Sequence, residues 1–160
     1  MYIGSYTREV DGKGRFLVPA KLKVRLDEVS GGARKAGELV LTRGFERCVY
    51  LFPKSQWSEF LKREIESRSE LSKDIRKLKR MLTGKAEEVE VDRQGRLLIP
   101  KAFLEEHLQM KRGSRRIVVV GVMDHIEIWR EEAWQAASRE MQDEMEEIAE
   151  KISRAGAAAV

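Results

Sequence analysis

Two short stretches of this sequence place an acid, a turn and an arginine within five residues. They are Asp11-Gly12-Lys13-Gly14-Arg15 and Asp92-Arg93-Gln94-Gly95-Arg96. Their chemistry is recognition rather than bond-making. A guanidinium is a planar fork of donors that matches a phosphate, or the O6/N7 edge of guanine, with two parallel hydrogen bonds. Carried on a β-turn it loses less conformational freedom on binding than it would on a free tail. The aspartate could pin the turn through its backbone amides or hold the guanidinium in one rotamer. Lys13 at the first tip and Arg93 and Gln94 at the second add donors, and a glutamine amide can also meet a base edge. Arg8, on the strand leading into the first turn, is a further candidate contact to a nucleic acid. A single such motif reads equally well as an ion pair that merely closes a turn. Its recurrence, with cations at both tips, favours a binding role.

The recurrence is part of a longer repeat. VDGKGRFLVPAKL at residues 10–22 returns as VDRQGRLLIPKAF at 91–103, a shift of 81 that pairs Asp11 with Asp92, Gly14 with Gly95, Arg15 with Arg96 and Pro19 with Pro100. LVLTRGFERCVYLFPKSQW at 39–57 is followed by its relative RIVVVGVMDHIEIWREEAW at 116–134, a shift of 77 that pairs Gly44 with Gly121 and Trp57 with Trp134. Two ordered blocks of this kind make the chain a tandem duplication.

Each copy predicts the same elements around its motif. A short strand enters the turn, where Gly14 or Gly95 supplies the positive φ. The apolar runs Phe16-Leu17-Val18 and Leu97-Leu98-Ile99 continue as buried strands. Pro19 and Pro100 stop those strands and open short helices over 20–26 and 101–108. Hairpins follow over 38–52 and 116–129, then a helix that bears the matching tryptophan. The segment 27–37 is polar and glycine-rich, so it is expected to be an exposed, mobile loop. In the first copy the pattern predicts helices near 55–66 and 73–82, the second capped by Ser72. At the C-terminus Trp134, Ala137, Met141, Met145, Ile148 and Ile152 recur at steps of three and four, the apolar stripe of a helix. The expected organisation is therefore a first repeat over 1–54, linking helices over 55–83, a second repeat over 84–130, an amphipathic helix over 131–152 and a flexible tail over 153–160.

Groups for catalysis are scarce. His107 and His125 stand in unrelated contexts, and the lone Cys48 lies in an apolar strand, where it reads as a small buried hydrophobe. No phosphate-cradling glycine loop and no metal-ligand spacing occurs, so neither an enzyme nor a cofactor is expected. One cysteine among 160 residues excludes an internal disulfide framework, and no apolar run approaches a membrane span, which points to a cytosolic protein. The net charge of +4 conceals two unlike halves: residues 1–82 carry 19 basic against 11 acidic side chains, and residues 83–160 carry 12 against 16. The basic half suits a polyanionic partner. Competing non-enzymatic readings are an oligomeric scaffold whose arginines close turns, separable by the salt dependence of nucleic-acid binding, and an RNA-binding module, for which Tyr2, Tyr6 and Phe16 form no obvious stacking platform.

The paired motifs, the LTRGFERCVYLFP and VVVGVMDHIEIW blocks and the acidic C-terminal helix together resemble the MraZ family over almost the whole chain. The resemblance implies an α+β fold, a tandem-duplicated swapped-hairpin AbrB-like β-barrel with flanking α-helices. It also implies a nucleoid-associated transcriptional regulator that binds repeated short G-rich boxes of double-stranded DNA upstream of the division and cell wall gene cluster, as a homo-oligomeric ring. The family's motif arginines fall on Arg15 and Arg96 and its motif aspartates on Asp11 and Asp92. Arg8 has no family counterpart, and the unlike tips Gly12-Lys13 and Arg93-Gln94 leave the two copies free to contact DNA unequally.

Overall fold

A computed structural model describes residues 1–30 and 38–159. Its elements run β1 (Ser5–Glu9), β2 (Arg15–Leu17), α1 (Ala20–Ser30), β3 (Leu39–Arg43), β4 (Val49–Pro53), α2 (Lys54–Leu61), α3 (Lys73–Thr83), β5 (Glu87–Val89), β6 (Arg96–Leu98), β7 (Arg116–Val122), β8 (His125–Arg130) and α4 (Glu131–Ala158). Single π-helical segments extend α2 over Lys62–Glu66 and follow β6 over Phe103–His107. The residues up to Arg130 form one compact unit and α4 forms a second.

The α+β expectation holds, and its strands are exchanged between the copies. Six strands form a sheet in the order β1-β7-β8-β4-β3-β5, and β2 pairs with β6 in a separate ribbon. The first strand of each copy lies beside the hairpin of the other: β1 against β7, and β5 against β3. The two hairpins meet where β4 pairs with β8. The sheet is open, ending at β1 and β5, and no closed barrel forms among the described residues.

Burial explains this arrangement. The core joins Phe16, Val18, Leu22, Leu39, Leu41, Val49 and Leu51 of the first copy to Leu97, Ile99, Phe103, Ile117, Val119, Ile126 and Ile128 of the second. All five residues of β4 are buried. One set of its side chains enters that core, and on the other Phe52 meets Trp57 and Phe60 of α2 at centroid distances of 5.3 and 5.1 Å. A strand covered on both faces needs no polar alternation, which is why VYLF reads as a continuous apolar run. Thr42, the one buried polar residue of the core among the described residues, donates its hydroxyl to the Leu82 carbonyl of α3 at 2.5 Å.

Several expectations need correction. α1 continues to Ser30, so residues 27–30 are helix and not loop. Ion pairs Lys23–Asp27 at 2.6 Å and Arg25–Glu28 at 2.9 Å lie at helical spacing and extend it. The rest of the segment expected as a mobile loop, residues 31–37, lies outside the described residues. Ser72 caps α3 as expected, accepting from the Ile75 amide at 3.4 Å. α4 runs on to Ala158, past the expected end at Ile152 and through most of the segment expected as a tail. Of its apolar stripe, Met141, Met145, Ile148 and Ile152 are exposed. The hairpin glycines Gly44 and Gly121 do not take the left-handed positions of the turns. The left-handed positions belong to Glu46, Arg47 and Met123. Gly121 is needed for close approach, because a Cβ there would strike the backbone of Tyr2 and Ile3, which runs alongside.

Candidate nucleic-acid interface

Both motif turns are built identically. The Asp11 amide donates to the Arg15 carbonyl at 2.8 Å and the Gly14 amide to the Asp11 carbonyl at 3.0 Å. Asp92, Gly95 and Arg96 repeat the pattern at 2.8 and 3.0 Å. The aspartate performs both of the roles open to it. Asp11 Oδ1 accepts from the amides of Lys13 and Arg15, each at 2.9 Å, and Oδ2 accepts from Arg15 Nε at 2.8 Å. Asp92 Oδ1 likewise accepts from the amides of Gln94 and Arg96 at 2.9 Å, and its Oδ2 from Arg96 Nε at 3.0 Å. The two glycines sit at φ +87° and +80°.

The pairing of Nε with aspartate has a chemical consequence. It leaves both terminal Nη groups of Arg15 and Arg96 without a hydrogen-bond partner among the described residues. These are the two nitrogens that make a bidentate fork. Each guanidinium is thus fixed at its stem and open at its tip, with the side chains 29% and 31% exposed.

The ribbon sets the two forks side by side. β2 and β6 pair antiparallel in the register Arg15↔Leu98, Phe16↔Leu97 and Leu17↔Arg96. Cross-bonds from the Val18 amide to the Gly95 carbonyl and from the Ile99 amide to the Gly14 carbonyl, both 2.9 Å, lock each turn onto the strand of the other copy. Alternation turns Phe16 and Leu97 into the core. It leaves Arg15 and Leu17 on the outer face of one strand, with Arg96 and Leu98 on that of the other. Leu17 and Leu98 are therefore exposed, at 54% and 49%, and the expectation of wholly buried strands fails at these two positions. Their alternating exposure is visible only once the partner strand is known, because an apolar residue on an outer face looks like core in the sequence.

The remaining candidates divide. Lys13, Arg93 and Gln94 are exposed at the turn tips, beside the forks. Arg8 is largely committed to the protein: its Nε donates to the Leu17 carbonyl at 3.1 Å, its Nη1 to the Thr7 carbonyl at 2.8 Å, and it lies 5.9 Å from the centre of the Tyr6 ring. It straps β1 to the ribbon.

Hydrogen bonds from the Arg15 amide above all, then from its side chain and the Lys13 amide, outweigh the cost of burial and lower the Asp11 carboxyl from 3.8 to about 2. Asp92 is lowered for the same reasons, the Arg96 amide first. A carboxyl depressed by folding stabilises the protein fully above its unfolded value, and that stabilisation disappears as pH falls through the folded one. Asp11→Asn should therefore cost stability by a constant amount at neutral and mildly acidic pH, with the gap to wild type closing between pH ~4 and ~2. Denaturant unfolding across that range checks this, and a gap that instead closed near neutrality would refute it.

Among the described residues, the two histidines make separate contacts. His107 bonds to the Cys48 carbonyl at 2.7 Å, while His125 contacts Asp124 at 2.8 Å and stacks on Phe52. Cys48 is buried, and burial raises its thiol well above the usual range. No group of His, Cys, Asp and Glu suited to a metal occurs among the described residues, and none of their helices is long and apolar enough to cross a membrane.

A family model described as MraZ protein, antitoxin-like, matches twice, over residues 1–80 and 81–155, one match for each copy of the repeat. The chain belongs to the MraZ family. It is 35% identical over 158 residues to the transcriptional regulator MraZ of Lachnoclostridium phytofermentans, covering 98% of each chain. It is 33% identical to the transcriptional regulator MraZ of Ligilactobacillus salivarius and 32% identical to that of Caldanaerobacter subterraneus, over 95% of this chain and 96% of each relative. These MraZ relatives are named as regulators and not as enzymes. The boundary between the two MraZ matches falls inside α3, so each match takes in one motif turn and the hairpin after it.

Proposed function

We propose that this chain is a sequence-specific, DNA-binding transcriptional regulator with no catalytic activity. The observation that carries the reading is the pair of stem-fixed, tip-open arginines on one antiparallel ribbon. A two-stranded ribbon is narrow enough to enter the major groove of B-DNA, where base edges are distinguishable. Arg15 and Arg96 are the readers of guanine edges. Gln94 adds a second base contact, and Lys13 and Arg93 grip phosphates. Leu17 and Leu98, between the forks, suit thymine methyl groups. Asp11, Asp92, Gly14 and Gly95 hold the turns, and Arg8 supports the ribbon from behind. The exchange of strands between copies is what a swapped-hairpin, AbrB-like unit built within one chain would require.

One ribbon offers few contacts, so a single copy binds weakly. In our reading the chain assembles into a homo-oligomeric ring that engages several short G-rich boxes at once and gains by effective concentration. Head-to-tail subunits repeat the ribbon in one direction, so the boxes are direct repeats. They lie upstream of the division and cell wall genes, and the protein acts at the nucleoid. Footprinting the purified protein on that upstream DNA, with gel shifts against a scrambled duplex of equal length, tests the proposal. Protection at regularly spaced boxes and a clear preference over the scrambled duplex are expected. Equal affinity for both duplexes would overturn it.

A further inference from the structure

A cleft of about 370 Å³ opens beside the first motif turn, between residues 10–14 and a second-copy segment, residues 110–115. Its charge is unbalanced. Lys13, Lys111, Arg112 and Arg115 line it, and none of them has a carboxylate partner among the described residues. The two acids in its wall are already engaged: Asp11 by Arg15 at 2.8 Å, and Glu105 by Lys101 at 3.6 Å. Elsewhere some exposed cations, such as Lys54, Arg63 and Lys151, are paired with carboxylates and others, such as Lys21 and Lys77, are not. It is the gathering of four around one concavity that sets these apart. Unpaired cations gathered around one concavity therefore mark a site for an outside anion.

The segment carrying three of these cations is ordered by the backbone. The Ser114 amide donates to the Lys111 carbonyl at 2.9 Å, closing a turn in which Gly113 takes φ +88°. The Val10 amide donates to the Arg115 carbonyl at 2.7 Å, which ties the segment to the residue before Asp11. At the other end the Met110 amide donates to the Leu104 carbonyl at 2.9 Å, and Arg130 Nη1 holds the Gln109 carbonyl at 2.8 Å. Three cations are thereby displayed on a fixed turn next to residues 10–14 of the first motif turn. The floor of Val10, Ile99 and Leu104 is apolar and offers no competing side-chain acceptor.

We infer that this cleft is a phosphate-binding site that takes the DNA backbone flanking the base edge read by Arg15, with Lys111 and Arg112 as its principal cations. The inference rests on the DNA-binding reading and adds to it a contact from the second copy at the turn of the first. Beside the second turn, at Gly95, stands Lys23, which is held by Asp27 at 2.6 Å.

The test is a salt titration of binding by a Lys111→Ala/Arg112→Ala double variant, on a duplex carrying one box and on a scrambled duplex of the same length. Both side chains are exposed and without a carboxylate partner, so melting followed by circular dichroism should match wild type. Each phosphate contact contributes about 0.9 to the slope of log K against log salt. The double variant should therefore lose about 1.8 from that slope on either duplex, weakening both by the same factor and leaving the preference for the box intact. An unchanged slope would overturn the inference, as would a loss confined to the box duplex. Should wild type fail to prefer the box, the DNA-reading proposal falls instead, and the slopes on the scrambled duplex still decide the cleft.

Discussion

Replacing Arg15 with alanine should abolish binding to the repeated boxes while leaving fold and oligomer unchanged. The stability side is small because the Asp11–Arg15 pair is a local contact between side chains 29% and 37% exposed, where solvent screens most of the attraction. The turn keeps its backbone bonds, and Asp11 Oδ1 keeps the Lys13 and residue-15 amides. The binding side is large. A bidentate contact to guanine discriminates by about 1–3 kcal/mol, roughly 5- to 150-fold per engaged ribbon. An oligomer that engages several boxes multiplies that factor once for each, which carries the affinity beyond detection in a gel shift. Arg15→Lys separates charge from fork. It should keep binding to any DNA sequence and lose part of the preference, because an ammonium lacks the planar fork that makes two parallel bonds while Arg96 and Gln94 still read. Gel shifts with light scattering measure both outcomes. Undiminished box binding by Arg15→Ala would remove the central contact from the proposed function.

The twin motifs are legible in the sequence because identity at a shift of 81 needs no knowledge of the fold, and because Asp, Gly and Arg at fixed spacing admit few local geometries. What stays hidden depends on partners distant in the chain. Nothing in β1 states that it will pair with β7 rather than with the hairpin of its own copy; that choice follows from burying both hairpins against a shared core. Leu17 and Leu98 pass for core because apolarity alone does not distinguish a side chain facing the interior from one facing outward. The same limit applies to α4, whose three-and-four spacing is identical whether or not its stripe is covered. The 110–115 segment looks like an ordinary connector, although its signal is present. Lys111, Arg112, Arg115 and Arg116 crowd six residues with no acid among them. Only its position beside Asp11 turns that density into a site.

The duplicated glycines give the sharpest separation between local strain and packing. Alanine at either position must adopt a left-handed backbone, φ +87° or +80°, at a cost of about 1–2 kcal/mol. At Gly95 little more is added, since a Cβ would lie 3.5 Å from Leu17 Cδ1 and 3.9 Å from Lys23 Cδ, ordinary contacts with flexible side chains. At Gly14 the same Cβ would stand 2.8 Å from the Ile99 carbonyl oxygen and 3.2 Å from Leu104 Cδ1. The carbonyl is backbone and cannot swing away, because the amide of that residue is bound to the Gly14 carbonyl at 2.9 Å. Relieving the overlap means moving β2 against β6, an overpacking cost of about 1–3 kcal/mol beyond the strain. Gly14→Ala should therefore destabilise by about 2–5 kcal/mol against about 1–2 for Gly95→Ala, read from chemical denaturation at neutral pH. Binding should follow the same order. A displaced ribbon misplaces both forks, because the register that pairs Arg15 with Leu98 also pairs Arg96 with Leu17. Equal losses of stability in the two variants would mean that strain alone governs these turns and that the contact across the copies yields freely. A Gly14→Ala protein that still bound the boxes with full affinity would show that the forks do not depend on ribbon geometry.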